Sequence, residues 1–260
     1  MEIITGVFDS NEQALDAVRE LQNMGLSERQ IGYVTPDLKS QNTATRVPVS
    51  DTEGSGVGQA MGAAVGGAIG AAGGATLGLA AASLMLPGVG PVVAFGLLGG
   101  ALLGGTGAAI GSVVGESLEE GLGEGVPHED IYLYEDALRH GRSIVIAHAQ
   151  EGAQADAVRD VLDRQGALDT DQLREEWWAE LRDDEWTDYQ SNGRDFHNDE
   201  LSYRKGFEAA QHPNRRGKSY AETESDLKET YADSDLDNPF RRGYERGQTY
   251  RSTLMENPRD

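Results

Sequence analysis

The chain has 260 residues, with 44 acidic against 22 basic side chains and a formal charge of −22. Phosphate recognition rests on clustered Lys and Arg, so this balance excludes duplex nucleic acid as a partner. The absence of cysteine excludes disulfide frameworks, zinc ribbons and thiol catalysis.

Composition is uneven along the chain. Twenty of the 34 glycines fall between Gly54 and Gly115, a span with no charged side chain, whereas residues 171–260 hold 22 acids, 14 bases and 12 of the 17 aromatics. Met1-Glu-Ile-Ile lacks the basic stretch and apolar core of a secretory signal, so the soluble parts are expected in the cytoplasm.

Residues 1–50 read as the first half of a small α/β domain. Ile3 to Phe8 is a short β-branched run, and Ser10 with Gln13 has capping-box spacing. Ala14, Leu15, Val18 and Leu21 recur at helical period, Gly25 sits at a C′ position, and Ile31–Val34 is a second strand.

Residues 54–122 read as a glycine-zipper helical hairpin. Gly54, Gly58, Gly62, Gly66, Gly70, Gly74 and Gly78 are four apart without a miss, which on an α-helix forms one slowly drifting stripe. Seven interior glycines cost roughly 7 kcal/mol against alanine, so close backbone approach to another helix must recover it. Pro87-Gly-Val-Gly-Pro91 breaks the segment, and Gly96, Gly100, Gly104, Gly107 and Gly111 carry the seam onward. The arms, 57–86 and 92–115, are about 45 Å and about 36 Å long as helices, against a bilayer core of ~30 Å. Gly58 to Gly78 and Gly96 to Gly111 are the expected self-association residues, with membrane lipid around them.

Residues 126–170 read as the second half of the α/β domain. Ile131, Tyr134 and Leu138 fit one helical face after Pro127, with a strand at 131–134 as the alternative. Ile144–Ala147 is a strand, followed by a helix over Ala153–Leu162 that ends at Gly166; a fourth strand is expected near 167–169. Asp16-Ala-Val-Arg-Glu-Leu in the first helix matches Asp156-Ala-Val-Arg-Asp-Val in this one, which points to internal duplication. Two such units closing on one sheet give a ferredoxin-like α+β sandwich, split by the glycine-rich hairpin.

Leu86-Pro-Gly-Val-Gly-Pro91, Val126-Pro-His-Glu-Asp130 and Tyr134-Glu-Asp-Ala-Leu-Arg-His-Gly141 together resemble the bacterial heat-induced general stress protein domain, over about residues 1–170. The resemblance implies a stress-associated bacterial protein with no catalytic residues to carry over.

Residues 171–260 form an acidic, aromatic-rich helical tail, in part disordered. Residues 203–211 and 240–248 repeat the pattern aromatic-basic-basic-Gly-aromatic-Glu-x-small-Gln. Tyr203 with Phe207, and Phe240 with Tyr244, are i,i+4 aromatic pairs. They read either as a docking element for a protein partner or as the core of a small helical subdomain. Leu173, Trp177 and Leu181, with Trp178 beside them, form a further stripe expected to pack on the α/β domain.

No catalytic constellation emerges. Gly217-Lys-Ser219 resembles the end of a P-loop, but His212 stands where its first glycine belongs, and the five histidines have no metal-ligand spacing. The expected function is a non-enzymatic bacterial stress protein, without cofactor or metal. Its hairpin self-associates as a homo-oligomer in or at the inner membrane, with α/β domains and acidic tails on the cytoplasmic side. The alternative is a soluble oligomeric ligand- or partner-binding regulator, cytoplasmic, with the hairpin buried in its centre.

Overall fold

A computed structural model of the protein describes residues 1–36, 81–86, 89–96, 128–231, 236 and 238–256. It combines helices with an antiparallel sheet. The chain divides into two compact units: Met1–Val126 with Ala137–Asp169, and Pro127–Asp136 with Thr170–Asp260.

The first unit is built from β1 (Glu2–Phe8), α1 (Asn11–Asn23), β2 (Ile31–Pro36), β3 (Ala81–Leu86), β4 (Gly90–Gly96), the end of α2 (Ile131–Arg139), β5 (Ser143–Ala149) and α3 (Ala153–Arg164). The five strands lie in the order β1-β5-β2-β4-β3, each antiparallel to its neighbours. β1 and β2 are therefore parallel to each other with β5 between them, so β1-α1-β2 is a split crossover. Leu168 bridges Val7 on the outer side of β1, which reduces the expected fourth strand to a single antiparallel pair. Val18 and Leu21 of α1 and Val158 and Val161 of α3 share one core with Phe8, Ile31 and Val145 of the sheet.

The two helices close alike. Gly25 and Gly166 have φ of +96° and +83°, a left-handed conformation that favours glycine. In each case the glycine N–H and the next N–H donate back into the last turn: Gly25 to Gln22 and Leu26 to Leu21, Gly166 to Asp163 and Ala167 to Leu162. The matching hexapeptides also behave alike, since Arg19 pairs with Asp16 and Arg159 with Asp156.

The turn region of the expected helical hairpin is corrected. Residues 81–86 and 90–96, assigned to the facing ends of the two arms, are the antiparallel ribbon β3–β4, laid along the edge of β2. The physical reason is that β2 offers a free row of backbone donors and acceptors. The β-branched pair Val92-Val93 after Pro91 meets Pro36 and Thr35 there, and both valines are buried. Gly96 accordingly belongs to β4, opposite Gly32, and not to a helical seam. Gly58, Gly62, Gly66, Gly70, Gly74, Gly78, Gly100, Gly104, Gly107 and Gly111 lie outside the described residues.

The second unit contains the start of α2 and four helices, α4 (Thr170–Ser191), α5 (Phe196–Gln211), α6 (Tyr220–Thr230) and α7 (Asn238–Glu256). Residues 127–136, expected within the α/β domain, join this helical unit. Asp130 pairs with Arg174 at 2.6 Å, Tyr132 packs edge-on to Trp177, and Glu135 pairs with Arg216 and Arg251. Trp177 and Trp178, expected against the sheet domain, pack instead on Phe207 within the helical unit.

Candidate functional site

The repeat of residues 203–211 and 240–248 falls on α5 and α7, and its glycines are where the two backbones touch. A Cβ built on Gly206 would lie 1.9 Å from the Phe240 carbonyl oxygen, and one on Gly243 would lie 1.9 Å from that of Tyr203. The fourth position of each repeat thus rests on the first position of the other. The last position is reciprocal too: Gln211 Nε2 donates to the Gly247 carbonyl at 3.0 Å, and Gln248 Nε2 to the Ala210 carbonyl at 3.4 Å. The start of each repeat meets the start of the other and the end meets the end, so the two helices run parallel, related by a pseudo-twofold along their length. Gly206-x-x-x-Ala210 and Gly243-x-x-x-Gly247 form a small-residue seam of the kind that lets backbones meet.

The aromatic positions of the repeat are interior. Tyr203, Phe207, Phe240 and Tyr244 are each at most 2 % exposed. This corrects their assignment as a partner-binding surface and follows the subdomain-core reading.

The duplication extends further than the nine-residue pattern. Arg204 stacks over Trp178 in α4, and Arg241 over Tyr220 in α6. Tyr203 packs edge-on to Tyr189 at 5.0 Å, and Phe240 edge-on to Tyr231 at 5.2 Å. Trp178 to Tyr189 and Tyr220 to Tyr231 are both eleven residues, so each copy is a helical hairpin: α4–α5 and α6–α7. Within those twelve-residue stretches only Ala179/Ala221, Glu180/Glu222, Asp184/Asp226 and Tyr189/Tyr231 are identical. That is too thin to read without knowing which helices pair.

Where the two hairpins and the start of α2 converge, the helical unit encloses a cleft of about 540 Å³. Its walls include Glu129 from the turn before α2, Tyr132 from the start of α2, Arg174 from α4, Glu208 from α5, Arg215 from the turn before α6, and Asp226 from α6. Tyr132 is 5 % exposed, yet its hydroxyl has no hydrogen-bond partner among the described residues. Burial raises its pKa, while Arg174 beside it favours the ionised form by hydrogen bonding and by charge, short of regular hydrogen-bond geometry. A buried polar atom left unpaired costs roughly 1–3 kcal/mol. Both arginines are engaged: Arg174 with Asp130 and Asp171, Arg215 with Asp226, Thr230 and the Ala209 carbonyl.

Burial raises the pKa of Asp130 and Glu208 above their ordinary values, even though Arg174 and Arg204 favour the ionised forms. Glu200 is shifted the other way, chiefly by its bond from Arg182. The signs predict the pH profile of the unit. Raised carboxyls bind protons in the folded state that the unfolded chain releases, so stability rises as pH falls through their raised values. The Glu200 contribution is present above the unfolded carboxylate value and is lost as pH falls through its lowered folded value. From neutrality downward these groups should therefore first add stability and then lose it as pH falls below the ordinary carboxylate range. All three tryptophans (177, 178 and 186) lie in α4, so urea midpoints followed by tryptophan fluorescence report this unit. Midpoints that fall steadily from neutrality downward would contradict the assignment.

No local motif marks this cleft in the sequence, because its walls come from five separate segments with no common spacing. Comparison with family models, curated proteins and solved structures finds no match to the chain.

Proposed function

We propose that the chain is a non-catalytic, self-associating bacterial stress protein whose glycine-rich segments assemble in or at the membrane. The α/β and helical units stand on the cytoplasmic side. The sheet order, read outward from the Leu168 bridge as Leu168-β1-β5-β2, supports reading the first unit as a ferredoxin-like sandwich, with β4 and β3 added at the β2 edge. The resemblance to the heat-induced general stress protein domain gives the physiological context.

The observation that carries the assembly reading is the β3–β4 ribbon. Ala81 pairs with Phe95, so the two ends of the ribbon to which the glycine-rich segments are joined in sequence are neighbours. Shortened by the ribbon to 57–80 and 97–115, they are still roughly 36 Å and roughly 29 Å as helices, against a hydrocarbon core of ~30 Å. Their small residues, four apart, then face a neighbour closely enough for backbone contact. Among the described residues no helix is long and apolar enough to cross a membrane.

The test is the Gly66→Leu, Gly70→Leu double variant in full-length protein. It is expected to collapse the crosslinked oligomer to smaller species, with unchanged tryptophan fluorescence from the helical unit. Unchanged oligomer size would refute assembly through this seam. Alkaline carbonate washing of membranes separates the inserted form, which stays with the lipid, from the soluble oligomeric regulator, which is washed off.

A further inference from the structure

The duplication makes each hairpin of the helical unit a control for the other. Equivalent positions meet similar packing demands, so an exposed residue that changes in kind between the copies is not there for the fold. Tyr220 follows Trp178 by 42 residues, and Phe240 follows Tyr203 by 37, which fixes the equivalences of α4 with α6 and of α5 with α7. Trp186 of α4 and Leu201 of α5 are 43 % and 72 % exposed. Their counterparts, Lys228 and Asn238, are exposed and polar. Asp183, exposed three residues before Trp186, has the neutral Ser225 as its counterpart.

Trp186 and Leu201 lie on one side of the α4–α5 hairpin. That side is marked by the bonds from Arg182 to Glu200 and from Arg204 to Glu175, which join the two helices along it. Trp186 is one turn beyond Arg182 on α4, and Leu201 follows Glu200 on α5. Antiparallel helices leave a crease between them that a third helix can fill.

Charge narrows the occupant. α4 carries eight acids against two arginines, and both arginines are bonded to carboxylates, Arg174 to Asp130 and Arg182 to Glu200. Lys205, one turn past Leu201, is half-buried and already engaged within the protein. A second copy would bring the same acids, and an anionic bilayer its own negative charge, so each would meet like-charge repulsion here. We propose that this side of the hairpin docks a basic amphipathic helix of a partner protein. The apolar face of that helix covers Trp186 and Leu201, and its lysines or arginines reach Asp183 and the Trp186 ring. The surface lies wholly in the helical unit, so it stands or falls independently of glycine-seam assembly.

The experiment titrates a synthetic Leu/Lys amphipathic helix into full-length protein by calorimetry at about 0.15 M salt, where attraction beyond ~8 Å is screened. The controls are a Leu/Glu helix of the same pattern and a lysine-only peptide of the same charge as the first. One saturable site for the Leu/Lys helix and none for the Leu/Glu helix is expected. Trp186→Gln with Leu201→Asn changes no charge, so attraction of the lysine-only peptide should stay as it was. The double variant should nevertheless weaken the Leu/Lys helix about tenfold or more, through the lost apolar anchors. Asp183→Ser should weaken it too, more at low salt than at high, and keeps the test open if the double variant fails to fold. No saturable Leu/Lys binding, equal binding of the Leu/Glu helix, or Leu/Lys binding that the folded double variant leaves unchanged would each overturn the proposal. So would self-association of the protein, or its uptake by phosphatidylcholine vesicles, that the double variant abolishes, since the face would then belong to a second copy or to lipid.

Discussion

Alanine in place of Gly206 is expected to destabilise the helical unit by roughly 3–4 kcal/mol, although alanine is the better helix former by about 1 kcal/mol. The new methyl would lie 1.9 Å from the Phe240 carbonyl oxygen and 2.7 Å from its carbon. Neither is the end of a flexible side chain, so α5 and α7 must move apart. Separation also stretches the Gln211 and Gln248 bonds across the seam and loosens the packing of Tyr203, Phe207, Phe240 and Tyr244 beneath it. Gly243→Ala should behave almost identically, because its methyl meets the Tyr203 carbonyl at the same distance. Gly247→Ala should cost less, with its nearest contact at 2.7 Å. The double variant at 206 and 243 should lose less than the sum of the singles, since one separation relieves both clashes. Urea unfolding read by tryptophan fluorescence measures all four. If Gly206→Ala is neutral or stabilising, the helices are not in backbone contact.

That seam shows what local pattern conveys and where it stops. The nine-residue repeat is visible in the sequence, including its glycine and its glutamine. The reason for those residues is not, because a glycine at the fourth position of the repeat says nothing about which helix it faces. The same limit explains the overextended arms of the expected hairpin. Small residues four apart continue past Gly78, and Val92-Val93-Ala94 fits a helix as easily as a strand when read alone. The open edge of β2 decides between them, and that edge exists only once β1, β5 and β2 have paired.

The paired halves of the first unit were legible because their signals are local: Ser10 over the N–H of Gln13, Gly25 and Gly166 at positive φ, and apolar period along α1 and α3. The boundary near residue 136 was not. Tyr134-Glu-Asp-Ala-Leu reads as one helix, and α2 is one helix. The turn before it and its first half are claimed by charges more than forty residues away in sequence, Arg174, Arg216 and Arg251, which no window of neighbouring residues contains.

Glu135 is the strongest of those claims, and its removal should have the largest single effect in the unit. Its carboxylate takes Arg216 in a two-bond fork, both at 3.0 Å, and Arg251 at 2.5 Å. The three side chains are only 10 %, 14 % and 11 % exposed. Glu135→Ala removes the shared acceptor of two largely buried guanidinium groups, and with it the bonds from Arg216 and Arg251. Breaking a buried pair in this way costs about 3–5 kcal/mol. By contrast, Glu245→Ala breaks the Arg241 pair, whose partners are 57 % and 53 % exposed, and should change stability by less than about 1 kcal/mol. The two effects also differ in salt dependence, because screening acts on exposed pairs and little on buried ones. A triple change, Glu135→Leu with Arg216→Met and Arg251→Leu, removes the charges together and should recover most of the loss, since an apolar set can replace a buried ionic one at little cost. The urea midpoint of each variant decides the matter. If Glu135→Ala costs no more than Glu245→Ala, this carboxylate does not hold residues 127–136 in the helical unit.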